Sequence, residues 1–184
     1  GLPERKYNPF FSRSGEGVDF IYSAASVPTG TPYVEIRYDE LGRVLQTVNP
    51  DGTYASINYD KWRTATIDAN GHKQESIFAS FGRLIEKREY TGADGRSSHY
   101  PAESYTLYAA TKYTYDSEGS LIATRDDQNN VTTIAYDQLG RKVSMTDPDM
   151  GTWSYEYDKN DNLTKQTDAK SQVIQFTYDA LNRV

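Results

Sequence analysis

The sequence contains no cysteine among its 184 residues, which excludes disulfides and thiolate metal sites and leaves the redox compartment open. No apolar run approaches the ~20 residues of a transmembrane helix, and no signal-peptide core is present at the N-terminus. The net charge of −6 comes from interspersed acids and bases. Without a basic patch, neither nucleic acid nor an anionic membrane is an expected partner.

Aliphatic residues are scarce, and apolar residues make up only 36% of the chain, below the usual share. Aromatic residues compensate, with 16 Tyr, 6 Phe and 2 Trp. Because each aromatic ring buries ~150–250 Å², the sequence predicts a core built on rings, and this content argues against disorder. Both ends read like the interior of a longer chain, so a fragment is expected.

A Tyr-Asp pair recurs at 38–39, 59–60, 115–116, 136–137, 157–158 and 178–179, mostly at intervals of 21 residues. The one long interval holds a degenerate copy at residues 77–90 and an inserted loop at about 91–105, rich in Gly, Ser and Pro. A fixed period of this size indicates a repeat architecture. We therefore divide the chain into a non-repeat or degenerate segment, 1–32, and a repeat array, 33–184.

The residues before each pair alternate between apolar and polar, as in Val34, Ile36 and Tyr38 against Glu35 and Arg37. This period of two is typical of β-strands. Further strands are predicted after each corner, at residues 44–48, 121–125, 142–146 and 163–167. The sequence thus predicts an all-β fold of consecutive antiparallel hairpins that form one extended, curved sheet. Each Tyr ring is expected to be buried beside a turn, with its hydroxyl in water.

The Asp of each pair is predicted to form a corner. The residue four positions after the Tyr is usually Gly, Asn or Asp, which tolerate positive φ. Asp-x-x-Gly therefore predicts a type I turn whose carboxylate accepts an N–H two residues on. Arg63 takes the Gly position in the second copy, so a distorted corner is expected there. The predicted structural residues are Tyr38, Asp39, Gly42, Tyr59, Asp60, Tyr115, Asp116, Gly119, Tyr136, Asp137, Gly140, Tyr157, Asp158, Tyr178 and Asp179.

The pattern resembles the YD-repeat, or Rhs-repeat, family of bacterial Rhs and Tc-type toxin shells and teneurins. The matching segments include YDELGRVLQTVNPDG at 38–52 and YDQLGRKVSMTDPDMG at 136–151. The resemblance implies an exported bacterial or cell-surface protein whose long arrays spiral into a hollow shell around a toxin. Such shells commonly end in an Asp-rich self-cleaving motif. DPDMG at 147–151 is superficially similar, but it has the repeat phase of NPDG at 49–52, so a turn is predicted.

No catalytic, cofactor or metal site is predicted. His72 and His99 lie in loop segments without partners for a metal or a triad, and are expected to be solvated. Asp126–Asn130 and the Asp158 loop offer oxygens to Ca²⁺, but turn chemistry explains both better. Carboxylates that recur with the repeat period are poor candidates for a glycosidase pair. Asn130 and Asn162 begin glycosylation patterns.

The sequence favours a non-catalytic structural segment that builds a shell or scaffold and encloses or presents a toxin or effector domain. The alternative is a carbohydrate- or cell-surface-binding adhesion module with exposed aromatic rows. The expected partners are other parts of the full-length protein, with self-association through unpaired sheet edges, or coverage of an edge or the aromatic face by residues 1–30. The loop at 91–105 is the first place to look for a specific contact because it departs from the repeat.

Overall fold

The computed structural model describes residues 4–7 and 30–184. Fourteen antiparallel strands are hydrogen-bonded in chain order, so each strand pairs with its sequence neighbours. β1 and β14 each have one neighbouring strand, and the sheet is not closed within these residues. The strands are β1 Arg5–Tyr7, β2 Tyr33–Tyr38, β3 Val44–Val48, β4 Tyr54–Asp60, β5 Arg63–Ile67, β6 Lys73–Phe78, β7 Leu84–Ala93, β8 Glu103–Tyr115, β9 Leu121–Arg125, β10 Val131–Tyr136, β11 Lys142–Asp147, β12 Gly151–Tyr157, β13 Leu163–Thr167 and β14 Val173–Gln175.

The predicted all-β fold of consecutive hairpins is confirmed. Strands expected at 44–48, 121–125 and 163–167 coincide with β3, β9 and β13, and β11 extends one residue beyond the prediction. Side chains along β12 alternate between half-buried and exposed, as the period of two predicts. In the described residues the one helical element is a 3₁₀ turn at Ser80–Gly82, and no helix there is long and apolar enough to cross a membrane.

The chain divides into two compact units. The first unit comprises Gly1–Ser76 with Glu89–Tyr108, and the second comprises Ile77–Arg88 with Ala109–Val184. In the first unit β1 pairs with Tyr33–Glu35, so part of the N-terminal segment adds a strand to the sheet. The remainder of the predicted 1–32 segment lies largely outside the described residues.

β7 and β8 are the longest strands because they run past the repeat into the inserted segment. Strand structure continues to Ala93 and resumes at Glu103. Gly92 lies against the Ser104 backbone, where an added Cβ would meet the carbonyl oxygen at 2.5 Å. The irregular part of the insertion is therefore residues 94–102, shorter than the predicted loop at 91–105.

The tyrosines of the repeat are half-buried, and the expected enclosed aromatic core is not seen in the described part of the chain. Ala93, at 4% exposure, is the buried apolar residue there, and Glu75, at 3%, is the buried charged one. A sheet face is covered by neighbouring side chains alone unless another layer packs on it. The rings lie along the sheet and share their burial with the adjacent strands.

Candidate functional site

Five of the six Tyr-Asp corners are closed by the Asp carboxylate. At Asp137, Oδ1 accepts the N–H of Leu139 at 2.9 Å and that of Arg141 at 3.0 Å. The backbone closes the same loop, with Asp137 N–H donating to Arg141 O and Gly140 N–H donating to Asp137 O. Gly140 has a φ of 78°, which a side chain would strain. The same hydrogen bonds are found at Asp39, Asp116, Asp158 and Asp179.

The corners on the opposite side of the sheet use the same chemistry. Asp68, Asp126 and Asp168 each accept N–H groups two and four residues later and close the same backbone loop. At DPDMG, Asp147 accepts the N–H groups of Asp149 and Met150 and pairs with Gly151, so the predicted turn is confirmed. The periods that begin at Asp116, Asp137 and Asp158 therefore each contain two aspartate corners, of which the Tyr marks one.

These hydrogen bonds favour the ionised carboxyl. The N–H of Arg141 is the largest cause that lowers the pKa of Asp137, followed by the Arg141 side chain after the opposing effect of burial. The Asn162 side chain lowers the pKa of Asp158 in the same way. Donors to a carboxylate stabilise its charged form, so these corners are built for ionised aspartate.

The Tyr hydroxyl joins each repeat to the one before it. The ladder between β11 and β12 ends at Ser144, which leaves the carbonyl of Lys142 beyond it. Tyr157 Oη donates to that carbonyl at 2.9 Å. Equivalent bonds run from Tyr59 to Val44, Tyr115 to Leu84, Tyr136 to Leu121 and Tyr178 to Leu163.

The sequence pattern predicts the Tyr hydroxyl in water and does not predict this backbone partner. A register shift at the corners of Tyr38, Tyr115, Tyr136 and Tyr157 sets the Tyr opposite the first strand residue after the turn, as in Tyr157 opposite Leu163. The Tyr157 hydroxyl then supplies the donor that the β11–β12 ladder no longer provides beyond Ser144. A backbone carbonyl left without a donor costs free energy, so Phe is not expected to serve equally well.

The hydroxyl bond can be measured with a pair of variants in one strand. Tyr157→Phe should lower the free energy of unfolding by about 0.5–1.5 kcal/mol, because it removes one donor to a backbone carbonyl. Tyr155→Phe is the control: the ring lies on the same face, stacks under Lys142 Nζ, and no hydroxyl hydrogen bond is found for it in the described structure. It should cost less than about 0.5 kcal/mol in urea unfolding. Equal losses would contradict the assignment.

An Arg after the corner adds a second link between repeats. The guanidinium of Arg141 bonds Asp137 Oδ2 at 2.7 Å and reaches Asp158 O at 3.1 Å and Asp161 Oδ1 at 2.8 Å. It also lies 4.9 Å from the centroid of the Tyr157 ring. Arg43 stacks on Tyr59 at 4.3 Å in the same way. The Arg thus packs one corner against the next.

Two corners depart from the pattern where the sequence does. Asp60 pairs directly with Arg63 across a two-residue turn, and Lys61 takes a positive φ of 51°, so the distorted corner expected at Arg63 is present. In the degenerate copy Ala79 replaces the Asp, and both Phe81 and Gly82 have positive φ. Without a carboxylate to hold the N–H groups, the loop adopts another form.

The inserted segment folds back onto the first unit through Arg96. Its side chain is 8% exposed and pairs with Asp94 Oδ2 at 2.6 Å. It also donates to Tyr54 O at 3.0 Å and Ser56 Oγ at 3.2 Å, and stacks 4.3 Å from the Tyr54 ring. Arg96 therefore anchors residues 94–102 to β4.

A buried carboxylate lies on β6 of the same unit. Glu75 accepts hydrogen bonds from Tyr90 Oη and Lys73 Nζ, both at 2.7 Å, with Arg63 at 3.9 Å. Burial alone would raise the pKa of Glu75, but the bonds from Lys73 and Tyr90 outweigh burial and lower it. Lys73 Nζ also lies 4.4 Å from the Tyr90 ring centroid. The group is a closed ionic cluster.

A comparison with protein families identifies the repeat in the C-terminal part of the chain. Residues 115–150 and 151–184 match the family model for the RHS Repeat. Residues 115–184 are two adjacent RHS repeats. The predicted resemblance is confirmed, and the corners at Asp39 and Asp116 show the same geometry on both sides of the insertion. A comparison with curated proteins gave no match.

The chain shares its fold with parts of much larger chains. The crystal structure of TcdB2-TccC3-TEV has a TM-score of 0.74 at 18% identity, over 97% of this chain and 9% of that chain. The crystal structure of TcdB2-TccC3-Cdc42 has a TM-score of 0.67 at 16% identity, over 81% of this chain and 8% of that chain. The structure of a Photorhabdus luminescens Tc holotoxin pore with a TccC3 variant has a TM-score of 0.65 at 15% identity, over 80% of this chain and 8% of that chain. The chain spans less than a tenth of these chains.

The other sequence candidates take structural positions within the sheet and its turns. The His72 ring packs edge-on against Tyr100 at 4.5 Å, so it is not simply solvated, and its Nδ1 lies 3.3 Å from Asp68 Oδ2. His99 donates its N–H to Ser97 Oγ. The Asp126 and Asp158 carboxylates are held by N–H and amide groups of their own loops. Within residues 4–7 and 30–184 no cluster of three or more acidic or histidine residues suits a metal.

Sequence reasoning missed Arg96 and Glu75. Both lie where the repeat pattern is weakest, in the insertion and beside the Arg63 corner, and neither occupies a repeat position. A single Arg in the Gly-rich segment ADGR was the available signal for Arg96. Its partners come from β4, about forty residues earlier, and local pattern could not identify them.

Proposed function

We propose that the chain is a non-catalytic wall segment of an exported bacterial RHS-repeat protein, and that the wall encloses or presents a toxin or effector domain. One observation carries this proposal: the repeated polar groups are occupied by the fold. The Tyr hydroxyls bond backbone carbonyls, and the corner carboxylates bond N–H groups of their own loops. A catalytic base or nucleophile needs a free position beside a substrate, and the repeated groups offer none.

The fold likeness to TcdB2-TccC3 supports the toxin context of this proposal. The expected partners are other stretches of the same protein and a toxin domain, at a secreted or cell-surface location. The proposed structural set is the Tyr, Asp and Gly residues of the repeat. Tyr hydroxyls lock successive hairpins and Asp carboxylates fix each corner, so the sheet can be extended by adding copies.

The carbohydrate-binding alternative requires aromatic faces that are open to a sugar. The Tyr59 and Tyr157 rings already carry Arg43 and Arg141 on a face, and both rings are half-buried. We therefore favour the wall. A glycan array with the 184-residue chain should show no saturable binding, and saturable binding to one sugar class would favour the adhesion module instead.

The wall role is tested in the protein encoded by the complete gene. Domains outside the repeats should resist protease while the wall is intact. A variant with Tyr136→Phe, Tyr157→Phe and Tyr178→Phe should release those domains at lower protease concentration, because three links between hairpins are lost together. Tyr155→Phe is the matched control. Equal cleavage in the wild type and the triple variant would contradict the proposal.

A further inference from the structure

The turn position two residues after the corner Asp carries large exposed apolar side chains on one edge of the sheet. We name this the Tyr-Asp edge, formed by residues 39–43 and 60–63 in the first unit and 79–83, 116–120, 137–141, 158–162 and 179–183 in the second. The five apolar side chains are between 60% and 92% exposed, at Leu41, Trp62, Phe81, Leu139 and Leu181.

The opposite edge supplies an internal comparison. We name it the acidic edge, formed by residues 49–53 and 68–72 in the first unit and 126–130, 147–151 and 168–172 in the second. The same turn position there holds only polar residues: Asp51, Asn70, Gln128, Asp149 and Lys170. The corners at Asp68, Asp126 and Asp168 make the same hydrogen bonds as the Tyr-Asp corners.

The turn itself therefore does not require a leucine. Glu118 and Asn160 occupy the position on the Tyr-Asp edge with the same N–H bond to Asp116 and Asp158. Exposed turns normally carry polar residues or Gly. At this turn position the apolar side chains lie on one of the two edges, and on the other edge the exposed Met150 lies one position later in its turn. A row of exposed apolar side chains indicates that something covers that edge.

Charge on the Tyr-Asp edge favours a second copy of the same edge as the occupant. The guanidinium groups of Arg43, Arg141 and Arg183 are held by their own aspartates at 2.7 Å, so these three corners carry paired charges. Glu40, Glu118, Lys159 and Asp161 add charges of both signs to the edge. Those guanidinium groups are engaged and are poorly placed to hold phosphate headgroups, which disfavours a membrane. The acidic edge would instead repel its own kind, with Asp51, Asp68, Asp126, Asp127, Asp147, Asp149 and Asp168 on it.

Spacing in the second unit agrees with this pairing. Leu139 and Leu181 alternate with Glu118 and Asn160 along the corners, and neighbouring Tyr-Asp corners are two strands, or about 10 Å, apart. A copy related by a twofold axis could set a leucine over each polar gap. We propose that the Tyr-Asp edge is a docking surface for the Tyr-Asp edge of another copy of this chain.

Paired substitutions test the proposal by sedimentation equilibrium. Leu139→Asn with Leu181→Asn should weaken self-association at least tenfold. The fold should be kept, because Asn already occupies this position at Asn70 and Asn160. The control is Gln128→Asn with Lys170→Asn on the acidic edge, which should leave association unchanged. A monomeric wild type at the highest soluble concentration, or association that survives the leucine variant, would overturn the proposal; pairing through β1 or β14 would give the latter result.

Crosslinking gives an independent readout because the chain has no native cysteine. Leu139→Cys should form a disulfide-linked dimer under mild oxidation, whereas Gln128→Cys should stay largely monomeric. Equal crosslinking of the two would overturn the edge assignment. Sedimentation with anionic phosphatidylserine vesicles completes the test: binding that requires Leu139 and Leu181 would assign the edge to a membrane instead.

Discussion

Replacing Arg96 with methionine should destabilise the first unit by about 3 kcal/mol, the lower end of the cost of breaking a buried ion pair. The Arg96 side chain is 8% exposed, but Asp94 keeps 28% of its side chain in water, which reduces the penalty of leaving it unpaired. The carbonyl of Tyr54 would also lose its guanidinium donor. The hydrophobic stem of methionine retains much of the packing on Tyr54, so the loss reports mainly polar contacts.

Urea unfolding followed by circular dichroism measures the total effect, and amide hydrogen exchange locates it. Exchange should accelerate in residues 54–76 and 93–105 and stay unchanged in 131–167, since the latter belong to the second unit. Arg37→Met is the control, because Arg37 is 60% exposed and bonds Glu35 on the surface. It should cost about 0–1 kcal/mol. If Arg37→Met were as destabilising as Arg96→Met, the anchor assignment would be wrong.

Arg96→Lys separates charge from geometry. Lysine keeps the positive charge but lacks the planar fork that bonds Asp94, Tyr54 and Ser56 together. It should therefore recover part of the loss at most. Full recovery would mean that charge alone holds the insertion in place.

The contrast between Arg96 and the repeat shows how much of the structure local pattern determines. Local pattern predicted the strand at 163–167, the corner at Asp137 and the distorted corner at Arg63. These features were predictable because turn chemistry and a period of two act within a few residues. The hydroxyl bond of Tyr157 was not, since it depends on where the β11–β12 ladder ends. Its partner lies fifteen residues earlier in the sequence, and no local pattern marks that residue.

The insertion was harder still. Its position was visible as a break in the period, yet Tyr105 bonds Gly71 O and Arg96 reaches β4, contacts between segments far apart in sequence. The leucines of the Tyr-Asp corners can also be read from the sequence of the repeat. The sequence did not show that these leucines form an exposed row on one edge. That inference needed the exposure of Leu139 and the matching geometry of the Asp126 and Asp168 corners on the other edge.

Acid should unfold the chain steeply, because many corner carboxyls have a lowered pKa in the folded state. A carboxyl with a depressed folded pKa contributes stability that is fully present above its unfolded value, about 4, and is lost as pH falls through the folded value. The urea midpoint should thus be nearly constant from pH 7 to about 5 and fall sharply below about 4. The groups with lowered pKa are Asp39, Asp51, Glu75, Asp94, Asp116, Asp126, Asp137, Asp147, Asp158 and Asp179.

One corner at a time can be removed from this dependence. Asp137→Asn keeps an oxygen that can accept the N–H groups of Leu139 and Arg141, but it loses the ionisable group, so the slope of stability against pH below 4 should become shallower. Asp127→Asn is the control, because Asp127 is exposed beside the Asp126 corner and no hydrogen bond to its carboxylate is seen in the described structure. Its slope should match the wild type. An equal change in both variants would mean that net charge, rather than the closed corner, governs acid unfolding, and the aspartate would then be replaceable by any turn-forming residue.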